Sequence, residues 1–500
     1  MAAKNEREVK LGAWGGFQLP DLSGVLEGIT CGPPTARTLT ASYYDTADLR
    51  LSRWGITVRH RDGDGAGWTV KLPEGDEGPA LVRREVSFEG GAARIPTGVL
   101  DLLRAYVRNS PLQGVARLRT HRRGVELCDA EGRTVAEVVD DEVSVLQGAR
   151  MTARFREVEV EVNDDAAPEL LGAVVDRLQA AGAGTPDPTP KLVRALGARA
   201  LEPPELAPVD VDREDSTLDA VRAGLVGSVA RMLAHDPGVR IGDHPRDVHQ
   251  LRVATRRLRS DLRTFRPVLD PEWAEPLRDE LKWLADQLSG VRDADVLEQR
   301  LRRQAAELPD PDAPGLDPLL AKLGTEREAA RRHLREALAS DRYANLLERL
   351  TTGALAPPFA GDAGAAASHV LPELANRPWR DLRKAVDELS PDPAPEQLHR
   401  VRIRAKRARY AAEAAAPVVG KKARKFAKSV ADVQTVLGDL QDAVVAEAWL
   451  REAAASTPAP EALAAGELIS IQRAERAASR DAWPAAWKRV DRKKLRSWLA

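Results

Sequence analysis

The period of the apolar residues changes once along the chain, near residue 200, and the change demands two domains built on different principles. Before it, short runs alternate apolar and polar residues: EREVKL, GITVRHR, GWTVKL, LVRREVSFE, VARLRTHR, TVAEVVDD and REVEVEV. Gly and Pro divide them. A period of two marks a strand with one buried face. Seven or more such strands at short spacing predict an antiparallel sheet or barrel, with helical stretches only at 98–107 and 168–181. The segments 181–190 and 201–210 read as loop and linker. After residue 212 the strands vanish, and segments rich in Ala, Leu, Arg and Glu follow a 3.6-residue period. Pro-rich breaks at 308–318, 356–367, 390–396 and 456–461 divide them into helix hairpins packed in bundles.

The helical half repeats itself. VHQLRVATRRLR (248–259) resembles LHRVRIRAKRAR (398–409), and LSGVRDADV (288–296) resembles LGDLQDAVV (437–445). The offsets are 150 and 149 residues, so order and spacing are both kept over a length too great for a solenoid unit. Two related bundles are expected, at about 213–355 and 366–500.

Composition narrows the function classes. Lys and Arg number 75 against 76 Asp and Glu, so any grip on a polyanion must come from local clustering. Aromatic residues are 4% of the chain, which argues against platforms that stack nucleic-acid bases. Trp14, Trp54 and Trp68 are expected in barrel packing. Cys31 and Cys128 are too few for a disulfide framework or a structural zinc site. No apolar run approaches the roughly 18 residues of a membrane helix, and the opening MAAKNEREVKLG has no apolar signal region. A cytoplasmic protein that engages neither a membrane nor a specific nucleic acid is expected.

In the strand-rich half, charges occupy alternate positions. Glu6, Glu8 and Lys10 share one face of a strand, as do Arg59 and Arg61, Arg83 and Glu85, and Glu157, Glu159 and Glu161. Val9, Val58, Val70, Leu72, Val158 and Val160 take the other face. In an ordinary sheet the charged face meets water. Carboxylates two positions apart sit about 7 Å from one another, and at an effective dielectric of about 20 they repel by roughly 2 kcal/mol. Here acidic strands open and close the region, with cationic strands between them. A closed barrel with this face inward would set carboxylates on one wall and cations on another. That lumen suits a divalent metal on the acids and a phosphate chain on the cations. Hard carboxylate oxygens favour Mg²⁺ or Mn²⁺ over zinc. No nucleophile triad has a comparable claim; His60 and His121 read as structural or surface groups. The GDGAG turn (63–67) lacks the Lys-Ser/Thr of a phosphate loop and reads as a hairpin.

These residues resemble the CYTH superfamily, the triphosphate tunnel metalloenzymes. EREVK carries the opening ExExK pattern, and the resemblance runs through YYDT (43–46), TVRHRDGDGAGWTVK (57–71), RREVSFE (83–89), THRR (120–123), REVEVEV (156–162) and PKL (190–192). The resemblance implies an eight-stranded antiparallel tunnel over about residues 1–200, cleaving triphosphate substrates with a divalent metal. It implies Glu6, Glu8, Glu157 and Glu159 as metal-site and catalytic carboxylates. Lys10, Arg59, Arg61, Lys71, Arg122 and Lys191 are then the cations that clasp the triphosphate, with Lys10 also catalytic. Glu157 or Glu159 is the expected water-orienting acid. Glu85 becomes a tunnel-wall acid, while Glu137, Asp140 and Asp141 compete for one further acidic position.

The helical half carries a second charged pattern. His249, Arg252, Arg256, Arg259, Arg263 and Arg266 follow a 3,4 spacing that puts them on one helix face, and His399, Arg402, Lys406 and Arg409 repeat it. Like charges at this spacing cost roughly 0.2–0.5 kcal/mol per pair, yet no acid lies between His399 and Arg409. KKARKFAK (421–428) adds five cations. The duplicated H-x-x-R-x-x-x-R/K resembles the CHAD domain, the conserved-histidine α-helical domain, over about 213–455. The resemblance implies two four-helix bundles that bind inorganic polyphosphate through His249, Arg252, Arg256, Arg259, Arg263, His399, Arg402, Lys406 and Arg409. Asp293 and Asp442 would orient these rows, and Gln441 departs from the pattern where the first repeat has Arg292.

The expected fold class is therefore α+β: an N-terminal antiparallel eight-stranded β tunnel barrel, a linker at 201–212, and an all-α domain of two related four-helix bundles at 213–500. The expected function is Mg²⁺- or Mn²⁺-dependent hydrolysis of inorganic triphosphate, with polyphosphate held by the helical domain, and polyphosphate granules as one place of association. The rival readings are a non-catalytic polyphosphate-binding protein and a hydrolase of thiamine triphosphate or another organic triphosphate.

Overall fold

A computed structural model describes residues 2–63, 67–77, 80–163, 165–242, 244–308, 313–455 and 457–499. The chain divides into two compact units, Met1–Glu205 and Leu206–Ala500.

The first unit holds β1 (Ala2–Gly12), β2 (Thr30–Cys31), β3 (Thr35–Asp45), β4 (Thr57–Asp62), β5 (Gly67–Glu77), β6 (Ala80–Phe88), β7 (Gln113–Cys128), β8 (Thr134–Gln147) and β9 (Arg150–Val162). Four short helices accompany them: α1 (Arg50–Arg53), α2 (Thr97–Val107), α3 (Leu170–Ala180) and α4 (Lys191–Leu196). The strands neighbour one another in the order β7-β3-β4-β5-β6-β1-β9-β8, and β8 pairs back onto β7. That last pairing closes an eight-stranded antiparallel barrel, with β2 a two-residue addition to β7. The middle of the β4–β5 turn, residues 64–66, lies outside the described residues.

The alternation decides what goes where. Val9, Leu11, Val138, Val158 and Val160 point outward and are covered by Leu170, Val174 and Leu178 of α3. The other face of the same strands lines the lumen with charge. One end of the lumen is apolar, where Ala41, Tyr43, Leu118, Val143 and Val145 gather around Leu192 of α4. Trp68 is buried between the rings of Tyr44 and His60, at 4.8 and 5.2 Å, and Trp54 packs against Tyr106 at 5.5 Å. Trp14 departs from the expectation. It follows the end of β1, beyond the sheet's cover, and is 65% exposed.

The second unit is helical: α5 (Thr217–Ile241), α6 (Pro245–Thr264), α7 (Pro271–Ala305), α8 (Leu316–Ala339), α9 (Asp341–Leu355), α10 (Ala367–Asp387), α11 (Pro395–Val419), α12 (Lys421–Ala454) and α13 (Ala459–Val490). Three of them are capped by side chains: Ser216 accepts from the Asp219 N–H at 3.2 Å, Asp270 from Glu272 at 2.9 Å and Ser340 from Tyr343 at 3.3 Å. The repeated sequences fall on α6 and α11 and on α7 and α12, so the duplication is one of whole helices. The first repeat carries an additional short helix, α9, because Ser340 ends α8 and caps the next helix within one residue. Helices α6 and α11 pack against each other and bring the two basic rows together. Among the described residues, no helix is long and apolar enough to cross a membrane.

Candidate functional sites in the tunnel and the helical cleft

Register assembles the tunnel site. On β1, alternation turns Glu6, Glu8 and Lys10 inward. Antiparallel pairing with β9 sets Glu161 across from Glu8 and Glu159 across from Lys10. On the other side, β6 sets Arg83 across from Glu6, and β5 sets Lys71 across from Glu85. Arg59 and Arg61 come from β4, Arg122 from β7 and Lys191 from the first residue of α4. Together they border a cavity of about 190 Å³.

The interior is dense with ion pairs. Lys71 donates to Glu6 Oε1 at 2.6 Å and lies 3.2 Å from Glu85. Lys10 bonds to Glu159 and sits 3.0 Å from Glu8. Lys191 reaches Asp141 and Glu159 at 2.7 Å each and Glu157 at 3.2 Å. Arg122 grips Asp141 through two bonds, of 2.8 and 2.6 Å, and reaches Glu159 at 3.1 Å. Burial alone would discharge Lys10, but Glu159 and Glu8 more than offset it and its pKa is raised. Lys191 is raised likewise, where Glu159 and Asp141 overcome burial. Burial also opposes charge on Glu159, but Lys10 and Lys191 hold it well below the usual carboxylate range. Glu161 behaves in the opposite way: burial and then Glu6 push its pKa up.

The cationic wall is not balanced. Arg61 has no carboxylate ion pair among the described residues, and Arg59, burial and Arg122 together lower its pKa to about 10. Arg59 is raised, since Tyr43 and Glu85 outweigh its burial, yet its nearest acid, Glu85, is 3.9 Å away.

For a divalent metal the donor chemistry fits. Glu6, Glu8, Glu159 and Glu161 line one cavity with hard oxygens, and the buried Glu8 Oε1 has no hydrogen-bond partner among the described residues. Among the described residues, no three acid, His or Cys side chains already converge as a metal cage. The ammonium groups of Lys10 and Lys71 stand among the carboxylates instead.

The structure thus gathers Glu6, Glu8, Lys10, Arg59, Arg61, Lys71, Arg122, Glu159 and Lys191 around one lumen. Glu157 stands apart. It is fully buried beneath Lys191 and Arg194, borders none of the cavity, and burial raises its pKa despite Lys191. Residue-level reading passed over Glu161, although the alternation Glu157, Glu159, Glu161 contained it. It also left Asp141 undecided. Asp141 points inward to Arg122 and Lys191, Asp140 outward to Arg156 at 2.7 Å, and Glu137 to the cavity edge.

The second site lies between α6, α7, α11 and α12, a cleft of about 400 Å³ lined by His249, Arg252, Arg256, His399, Arg402 and Lys406 among others. Arg252 pairs with Asp293 at 3.1 Å and Arg402 with Asp442 at 3.8 Å, the same contact in both repeats. His399 Nδ1 lies 2.8 Å from Gln441 Oε1, so its Nδ1–H donates and the substituted glutamine orients the ring. Among the described residues, the buried Nε atoms of Arg256 and Arg402 have no hydrogen-bond partner. Burial and then Arg292 lower the pKa of His249.

The rest of the row does not reach this cleft. From His249 to Arg263, fourteen residues advance about 21 Å along the axis, and a 3.5-residue repeat on a straight helix drifts by about 20° per heptad. Arg263 accordingly opens into a separate cleft of about 570 Å³ with Arg278, Arg404 and Arg407. Arg259 faces Arg278 and the acids Asp286 and Asp279. Arg409 lies over the Tyr410 ring at 4.6 Å and 3.6 Å from Glu413.

A closed eight-stranded tunnel with a charged lumen, followed by a duplicated helical unit with two basic rows, defines the class of protein. Residues 4–187 match the CYTH domain and residues 223–451 match the CHAD domain. The chain belongs to the family of proteins that join these two domains, the first of them the triphosphate tunnel metalloenzyme fold. It is 33% identical over 508 aligned residues to an uncharacterized protein of Mycobacterium tuberculosis, covering 95% of this chain and 94% of that protein. A counterpart from a second strain is 32% identical over the same span. Among solved structures, PptA from Streptomyces chartreusis is similar at 26% identity and a TM-score of 0.46, covering 55% of this chain and all of that one. A CHAD domain from the plant Ricinus communis is 30% identical with a TM-score of 0.47, covering 56% of this chain and 93% of that one.

Proposed function

We propose that the tunnel hydrolyses inorganic triphosphate with Mg²⁺ or Mn²⁺, and that the helical cleft holds polyphosphate. The observation that carries the reading is the unbalanced cation wall. Arg59, Arg61 and Arg122 line one cavity, where like charges repel, opposite a wall of carboxylates, and among the described residues Arg61 forms no carboxylate ion pair. An anion with several oxygens relieves that repulsion. A lumen of about 190 Å³ is smaller than the roughly 300–1,000 Å³ of organic-ligand pockets, which favours an inorganic chain over a nucleotide or thiamine ester.

In this reading Arg59, Arg61 and Arg122 hold phosphate oxygens, and Asp141 fixes the Arg122 fork by its two bonds. Glu6 and Glu8 would hold the metal, which supplies charge neutralisation at the scissile phosphate. Lys10 and Lys71 turn from carboxylate to phosphate oxygens as the site fills. Glu159 keeps Lys191 at 2.7 Å and Arg122 at 3.1 Å when Lys10 turns away, and these cations hold it anionic. Glu161 lines the same cavity from β9, 3.2 Å from Lys4, and is the carboxylate assigned to orient the attacking water.

The test is phosphate release from tripolyphosphate, long-chain polyphosphate, ATP and thiamine triphosphate, with each metal and with EDTA. Metal-dependent release from tripolyphosphate is expected to dominate. Equal turnover of ATP, or turnover undiminished by EDTA, would overturn the assignment.

A further inference from the structure

One cation of the helical cleft differs from the others in what it can react with. Guanidinium groups hold phosphate but do not attack electrophiles, whereas a lysine amine does once it has lost its proton. Lys406 stands where the first repeat has Arg256, so the duplication places an amine among guanidiniums. Arg252 and Arg256 face it from α6, Arg402 from its own helix and Asp442 from α12. The acid is already engaged by Arg402, and among the described residues Lys406 has no ion pair with a carboxylate. Burial and the three arginines lower its pKa to about 7. About half of the amine is then free at neutral pH, against roughly one part in a few thousand for an ordinary lysine. The cleft also has an aliphatic side, formed by Val253, Val296 and Val445.

We propose that Lys406 is a covalent modification site for acyl phosphates, whose phosphate end is held by Arg252, Arg256 and Arg402 and whose acyl end meets the amine. The Nζ lone pair attacks the carbonyl carbon. The bond from that carbon to the bridging oxygen breaks, phosphate leaves with the electron pair, and the proton lost by nitrogen passes to the departing phosphate. The products are an Nε-acyl-lysine and inorganic phosphate, with no further reactant. The valines give a short acyl chain an apolar place to lie. Acylation deletes one cation from the cleft and so weakens its hold on polyanions. This step rests on the reading of the cleft as a phosphate site.

The test treats the full chain with acetyl phosphate at neutral pH and follows acetylation of each lysine by peptide mass spectrometry. N-hydroxysuccinimidyl acetate, which has no phosphate, serves as the parallel reagent, and polyphosphate binding to the same protein is titrated separately. With acetyl phosphate, Lys406 is expected to react at least about tenfold faster than the exposed Lys421 and Lys422. That preference should exceed the one seen with the phosphate-free ester, disappear under excess tripolyphosphate, and fall in Arg402→Gln. Polyphosphate binding without selective acetylation would overturn the inference and leave the phosphate site standing. The same preference with both reagents would overturn the phosphate-directed step. Absence of both polyphosphate binding and tripolyphosphate protection would overturn the phosphate-site reading and the inference with it.

Discussion

Replacing Arg61 by Gln is expected to stabilise the ligand-free barrel and weaken tripolyphosphate binding at the same time. Among the described residues the cation has no carboxylate pair, it faces Arg59 and Arg122, and its pKa falls from the usual arginine range to about 10. That fall corresponds to roughly 3 kcal/mol of repulsion and lost hydration, of which screening by lumen water leaves about 1 kcal/mol as a stability cost. Because Arg61 is a base with a depressed folded-state pKa, the cost is fully present at any pH below about 10 and is relieved above it. Arg61→Gln should therefore raise the Tm of the barrel transition by about 2–4 °C, equally at pH 6 and pH 9. A charge-assisted contact to phosphate is worth about 1.5–3 kcal/mol, so tripolyphosphate should bind roughly 10- to 150-fold more weakly. Differential scanning calorimetry with and without tripolyphosphate reads both effects, since the ligand's added stability shrinks with its affinity. A lower Tm in the ligand-free variant, or affinity changed less than threefold, would show that Arg61 supports the fold and refute the unbalanced-wall reasoning.

Glu8→Gln should lower turnover of tripolyphosphate by about a hundredfold or more, in line with loss of one electrostatic element of a phosphoryl-transfer site, while circular dichroism is unchanged; kinetics across a Mg²⁺ titration checks it. Polyphosphate affinity of the full chain should be greatest below pH 7 and fall as pH rises through 7, because Lys406 has a pKa of about 7 and binding requires its charged form; Lys406→Arg should flatten the profile in titration calorimetry. Asp261 is fully buried, and burial raises its pKa to about 6 despite Arg257. Its raised folded-state pKa means a cost that grows as pH rises from about 4 to 6 and stays above it, so Asp261→Asn should raise the Tm of the helical unit at pH 8 and leave it unchanged at pH 4.

The alternation that made the strands legible also made the lumen legible, because period two sends Glu6, Glu8 and Lys10 to one side whatever their partners are. Closure was expected from the family resemblance, and the β7–β8 pairing shows it, but register was not legible. A shift of two residues between β1 and β9 keeps every side chain on its face but changes which glutamate meets Lys10, so the roles of Glu157, Glu159 and Glu161 could not be told from sequence. In the structure Glu157 stands opposite Gly12, away from the acids of β1. Asp140 and Asp141 posed the same problem in sharper form, since adjacent residues must face opposite ways and only the pairing with β7 decides which faces in. In the helical unit, the repeat identified the helices that meet, but a spacing pattern has no length scale. The row from His249 to Arg263 reads as one stripe in sequence and spans two clefts in space.

The charge arrangements of the two sites imply different dependence on metal. In the tunnel, carboxylates and cations are already paired: Glu6 with Lys71, Glu8 with Lys10, and Glu159 with Lys10, Lys191 and Arg122. A phosphate chain that drew Lys10 and Lys71 away would strand buried carboxylates, at a cost of about 3–5 kcal/mol for each broken pair. A divalent cation arriving with the chain replaces the lost charge. The two ligands should therefore bind the tunnel cooperatively, each weak alone. In the helical cleft, Arg256 and Lys406 have no carboxylate ion pair among the described residues to surrender, so a polyanion should need no metal there, and Mg²⁺ should compete with the protein for it. Titration of Glu8→Gln against wild type separates the sites. Mg²⁺ should strengthen tripolyphosphate binding to the wild-type tunnel by at least about tenfold, which is 1.4 kcal/mol and a fraction of one broken pair, and much less in Glu8→Gln. The same Mg²⁺ should weaken long-chain polyphosphate binding to the cleft in both proteins. Tight tripolyphosphate binding to the wild-type tunnel without metal would mean that the lysines need not leave their glutamates, and the proposed exchange of partners would fail.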